Sequence, residues 1–131
     1  MIMGFFKKDK SVDTFGATEV ILKDKIEINM DTRQCRVNKN GFGKLDKRSE
    51  KIFNLDDIVS YEFDYIQMKD KASRPVIKFV INDFETPVIH VKVDDYIGLK
   101  PKEYKVDSIM FTSYVTLGER AIARLNMLLG K

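Results

Sequence analysis

Every second residue from Val59 to Tyr65 is apolar, and Ser60, Glu62 and Asp64 stand between them. That period of two is the mark of a strand with one buried and one wet face. Just ahead, Asn54-Leu55-Asp56-Asp57 ends the short run Ile52-Phe53, so the chain turns at an acidic corner before a long strand from Ile58 to about Gln67. The same pattern recurs upstream in shorter pieces. Residues 18–22 are rich in β-branched side chains. Ile26, Ile28 and Met30 alternate with polar neighbours, as Cys35 and Val37 do with Gln34, Arg36 and Asn38. Turns at Lys23-Asp24 and Asp31-Thr32 join these three strands into an antiparallel meander. The pattern dissolves over 39–50, "KNGFGKLDKRSE", where Gly41 and Gly43 predict a loop. "KDKASRP", residues 69–75, reads as a charged connector ending in Pro75. Two further strands are predicted: 76–81, with Ile77, Phe79 and Ile81 on one face, and 87–93, with Ile89, Val91 and Val93.

After Asp94-Asp95 the period changes. Phe111, Tyr114, Val115, Gly118, Ala121, Ile122, Leu125, Leu128 and Leu129 advance in steps of three and four, which predicts an amphipathic helix. Asp107 or Ser108 suits its N-cap and Gly130 its C-terminal end. Gly118 costs about 1 kcal/mol against alanine inside a helix. Its place in the apolar stripe therefore predicts a close approach to the sheet. The predicted core joins Tyr61, Phe63, Ile77, Phe79, Ile89 and Val91 to Phe111, Ile122 and Leu125.

About seven antiparallel strands closed by a C-terminal helix resemble the pleckstrin-homology-like barrel, a mainly β fold. "FNLDDIVSYEFDY" is similar to the PH/GRAM-type passage in which the chain leaves the first sheet through an acidic corner and starts the second. The resemblance covers about residues 16–130. It implies two bent sheets capped by the helix, the face from Val59 to Tyr65 turned into the barrel, and Asp56-Asp57 at the corner. The layout, with a basic "GFFKKDK" beginning and a terminal "YVTLGERAIARLNMLL" helix, is also similar to small bacterial and bacteriophage proteins. Lipid-binding members of the family cluster Lys and Arg around the first hairpin. The matching turn here, "LKDKIE", sets Asp24 between Lys23 and Lys25, where it would oppose a phosphate.

The chain has 131 residues, which fits a single domain over 16–131 preceded by a basic arm over 1–15. Its net charge of +3 comes from 23 basic and 20 acidic residues that are well interspersed, too mild a balance to imply nucleic acid. With one cysteine, an intrachain disulfide and a cysteine-based zinc cluster are both excluded. A reducing, cytoplasmic setting is the expectation. No apolar run approaches the ~20 residues of a membrane span, and the order of charges in Met1–Lys8 does not make a signal peptide.

Candidate chemistry is sparse. His90, the only histidine, alternates onto the polar side of its strand with Lys92, away from Ile89 and Val91. Cys35 shares a face with Val37 and reads as a small buried hydrophobe. Asp56-Asp57, Asp83/Glu85 and Asp94-Asp95 fall at turns, where acids bond local backbone. With no phosphate loop and no catalytic constellation, the expectation is a non-enzymatic protein without cofactor or metal. Lys39, Lys44, Lys47, Arg48 and Lys51 surround Phe42 and Leu45 and form a candidate anion contact. Asp46 and Glu50 dilute that charge, which disfavours nucleic acid. Phe5, Phe6, Lys7, Lys8 and Lys10 form a candidate membrane contact. Met110, Leu117 and Met127 lie off the main stripe of the helix and predict either a wide buried face or a partner contact. The leading expectation is a binding or assembly module acting through protein contacts, its own copies included. A peripheral membrane module using the arm is the alternative.

Overall fold

Short alternating runs and tight turns make the first sheet. In a computed structural model, which describes residues 13–38, 50–96 and 100–131, strands β1 (Glu19–Leu22), β2 (Ile26–Asn29), β3 (Gln34–Asn38) and β4 (Glu50–Asn54) pair antiparallel in chain order. Asp24 and Arg33 hold left-handed backbone angles at the two turns of the meander. A bulge between Val20 and Leu22 turns both Ile21 and Leu22 inward, a change of phase that strict alternation forbids. Leu55–Asp57 then forms a short 3-10 turn, the acidic corner, from which the chain enters the second sheet.

That sheet is built on a long hairpin. β5 (Ile58–Met68) pairs with β6 (Lys71–Ile81), β6 pairs with β7 (Val88–Lys92), and β8 (Glu103–Lys105) pairs with the other end of β6. The fold is therefore mainly β with one C-terminal helix, α1 (Ile109–Leu129). Eight strands stand among the described residues where seven were expected. Among the same residues no strand pairing joins the two sheets, so the expected closed barrel is not formed by them.

Two further corrections concern this hairpin. Residues 69–75 are not a connector: only Lys69-Asp70 turn, and β6 begins at Lys71. Pro75 sits at a bulge, because two residues of β6, Arg74 and Pro75, oppose the single Tyr65. The β6–β7 ladder begins beside it at Val76 and Lys92, which is how a proline is tolerated inside a strand. A second bulge at Val59, between Ile58 and Ser60, shifts the phase of β5. Val59 consequently lies 61% exposed instead of joining Tyr61, Phe63 and Tyr65 on the inner face.

The sheets share one core. Ile26, Ile28, Cys35, Val37 and Phe53 from the first pack with Ile77, Phe79, Ile89 and Val91 from the second, and Ala121 and Leu125 of α1 complete it. Tyr61, Phe63 and Ile122 pack against this cluster as predicted. Phe111 instead centres a smaller cluster with Ala72 and Tyr104, roofed by Tyr65, and Tyr114 touches both clusters. Helix α1 starts where Ser108 Oγ accepts the Phe111 N–H at 3.1 Å and stops at Gly130, whose φ of 73° suits glycine. Gly118 is the predicted close approach: a Cβ there would stand 2.3 Å from Cδ1 of Phe63.

Candidate functional site

Most of the residues that could have carried chemistry are engaged structurally. Cys35 is fully buried, and burial pushes its thiol far above the ordinary range, so it is no nucleophile. His90 is exposed opposite Lys78 on the outer face of the second sheet. Asp83 caps its own turn by accepting the Glu85 and Thr86 N–H groups, and Lys51 reaches its other oxygen at 3.1 Å. Asp56 pairs with Arg33 at 3.0 Å. Among the described residues no group of three His, Cys, Asp or Glu could hold a metal ion.

Asp94 departs from the turn-acid reading. It is 3% exposed, and its Oδ2 accepts a 2.7 Å hydrogen bond from the Tyr104 hydroxyl. Lys25, from the first hairpin, is buried beside it and donates to the Asp94 carbonyl at 2.9 Å while pairing with Asp95 at 3.2 Å. Lys25, at the first hairpin turn, is therefore committed inward.

A further buried charge was not anticipated. Arg36 projects from the outer face of β3 and reaches Asp13 at 2.6 Å, Glu50 at 3.4 Å and Glu27, with the ring of Phe15 4.7 Å from its guanidinium carbon. Asn29 also donates to the Phe15 carbonyl at 2.9 Å. The last residues of the basic arm, Asp13–Phe15, are thus pinned to the first sheet.

The strongest surface feature is the outer side of α1. Met110, Leu117 and Met127 are 53%, 41% and 83% exposed, and Ile109, which the periodicity did not single out, is 87% exposed. At 3.6 residues per turn, Ile109, Ser113, Thr116, Arg120, Ala123 and Met127 form a line opposite Gly118, with Met110 and Leu117 along one flank. A shallow pocket of about 500 Å³ lies on this line between Asp107 and Arg120. The sheet edge is less inviting. β5 has β6 on one side only, but its bulge at Val59 and its outward Glu62 and Asp64 blunt it against further pairing.

Phe5, Phe6, Lys7, Lys8 and Lys10 lie outside the described residues, as do Lys39, Lys44, Lys47 and Arg48. Among the described residues no helix is long and apolar enough to cross a membrane. Comparison with protein-family models, curated proteins and solved structures finds no match for the chain.

Proposed function

We propose that the protein is a non-enzymatic assembly module that self-associates through the outer face of α1. The observation that carries this reading is the two-fold character of the exposed stripe. Ile109 and Met127 stand equally far from Gly118, as do Ser113 and Ala123, and Thr116 and Arg120. An antiparallel pair of helices centred there would set Ile109 of one copy against Met127 of the other at both ends. The small Ser113 and Ala123 would meet between them, as an isologous interface requires. The alternating steps of four and three are those of a helix–helix seam. The order of two sheets and a terminal helix supports the pleckstrin-homology-like reading, with the eighth strand and the lack of a pairing between the sheets among the described residues as its departures.

Light scattering at micromolar concentration tests the assembly. A multiple of 15.2 kDa is expected. Ile109→Ser combined with Met127→Ser should return the monomer mass without lowering the melting temperature, since both side chains are exposed. Arg120 lies near the two-fold axis of the seam and would approach its own copy. Salt should therefore strengthen the dimer, whereas it weakens attachment to an anionic membrane. A monomer mass at every concentration, or a dimer indifferent to both substitutions, defeats the proposal.

A further inference from the structure

A second surface is independent of the helix. Beside β6 and β7, lined also by Tyr96 and residues 100–102, lies a cleft of about 470 Å³, within the usual range for small-molecule sites. Four cations line it: Arg74, Lys92, Lys100 and Lys102. Asp64 and Asp94 supply the opposing carboxylates, so the cleft carries an excess of positive charge. Asp94 is buried, and while its Oδ2 takes the Tyr104 hydroxyl, its Oδ1 is buried with no hydrogen-bond partner. A buried acceptor left unpaired is costly, and native folds rarely keep one without a use. Burial, aided by the bond to Asp94, pushes the Tyr104 phenol well above its ordinary range, so it stays a donor to Oδ2.

Arg74 is the second anomaly. It holds a left-handed φ of 55° within a strand, at the bulge before Pro75. Glycine is the default for that conformation, and any other residue is strained there. The other non-glycine residues with positive φ among the described residues, Asp24, Arg33 and Lys69, all lie in turns between strands. The fold alone does not call for an arginine at this place, and bulges commonly re-aim a side chain at a site.

We propose that this cleft binds the phosphate monoester of a small polyol, a sugar phosphate in chemical class. Arg74 and the lysines hold the phosphate, and Asp94 accepts a hydroxyl of the sugar. A monoester dianion offsets the surplus positive charge, and three phosphate oxygens match several separated donors better than one carboxylate does.

Calorimetric titration of the intact chain with glucose 6-phosphate, inorganic phosphate and glucose tests this. Glucose 6-phosphate should bind, inorganic phosphate should bind about tenfold more weakly for want of the hydroxyl contact, and glucose alone should not register. Arg74→Gly deletes the guanidinium where glycine is the favoured residue. It should weaken both phosphate probes by about tenfold or more while the melting temperature holds or rises. Lys92→Met should act in the same direction. Asp94→Asn keeps an acceptor for Tyr104 and should weaken glucose 6-phosphate while sparing inorganic phosphate. No heat from either phosphate probe at about 10 mM, far weaker than a specific site would give, overturns the proposal. So does binding that Arg74→Gly and Lys92→Met leave unchanged. Equal affinity for the two phosphate probes removes Asp94 from the site and refutes the polyol assignment.

Discussion

Gly118 and Phe63 are fitted to one another, and the fit sets the distance between α1 and the second sheet. The ring of Phe63 occupies the space a side chain at position 118 would need, its Cδ1, Cε1 and Cγ all lying within 2.7 Å of the missing Cβ. Gly118→Ala gains about 1 kcal/mol of helix propensity. It forces the ring or the helix to move, and overpacking of that kind costs about 1–3 kcal/mol. A net loss of stability is expected, and Phe63→Leu should recover part of it. Additive losses in that pair of substitutions, measured by denaturant melts, would show that the two residues do not meet. Glycine in an apolar stripe was readable in the sequence because one backbone-level anomaly pointed to one contact. Arg36 was not readable, since an arginine alternating outward looks like any solvated charge until a covering segment is known. Its guanidinium holds the Asp13 carboxyl below the ordinary value, chiefly through their hydrogen bond. A carboxylate whose folded pKa is depressed contributes stability above its unfolded value and loses it as pH falls through the folded one. Residues 13–15 should therefore stay docked at neutral pH, begin to loosen only below about pH 4, the ordinary range of an aspartate, and come free as pH falls through the lower folded value. Asp13→Asn should free them at every pH, read as proteolytic nicking before β1. Nicking that is the same at pH 7 in both proteins would disprove the clamp.

At the scale of elements, the sequence was most legible where the period ran unbroken. The meander of the first sheet, the helix with its Ser108 and Gly130 ends, and the strands that set Ile77 and Phe79 beside Val91 and Ile89 all follow from alternation or from steps of three and four. It was least legible where a bulge resets the phase. Val59 looks like the first of four inward residues, and only the extra residue in the β5–β6 ladder sends it outward. The β5–β6 hairpin was hidden for a related reason. Its turn is Lys69-Asp70, without the asparagine or glycine that announces a two-residue turn, and Lys69 takes a φ of 60° that lysine rarely adopts. Strain at an exposed turn is open to relief. Lys69→Gly should leave the fold unchanged and raise stability by up to about 1 kcal/mol, the cost of a left-handed residue less the extra entropy of glycine. A clear destabilisation in thermal melts would argue against the turn. β8 escaped notice because Tyr104 is the only buried residue of its three. With β8 unseen, the cleft beside it and the burial of Asp94 were beyond reach as well. Exposure of Met110, Leu117 and Met127 was half legible: their offset from the main stripe was visible, but not that the core was already full without them, and Ile109 was not singled out at all.

For the molecule as a whole, the decisive feature is that among the described residues neither sheet closes on itself, so each depends on the other and on the helix for cover. The buried faces of both sheets enter one cluster, with Ala121 and Leu125 of α1 among its fully buried members. Tyr61 ties the end of the helix to β5 through a 2.7 Å hydrogen bond to Asn126, and Tyr114 joins the main cluster to the one around Phe111. Shared side chains of this kind leave neither sheet nor the helix able to unfold alone at low cost, which is the condition for a single cooperative transition. Leu125→Ala is the sharpest probe, because it removes buried volume from the helix without touching a strand pairing. A loss of about 2–5 kcal/mol is expected, a large share of the stability of a domain this size. The loss should appear equally in the slowest-exchanging amides of β2 and β3 and of β6 and β7, although Leu125 belongs to neither sheet. Tyrosine fluorescence and far-ultraviolet circular dichroism should fall at one midpoint in both the parent and the variant. If the amides of the first sheet keep their protection while those of the second lose it, the sheets are separate units and the shared core is not what holds the fold. An undivided loss would instead mean that the outer face of α1 is presented by a rigid body. Pairing through that face could then proceed without an ordering cost in the strands, because the helix is already fixed by everything packed beneath it.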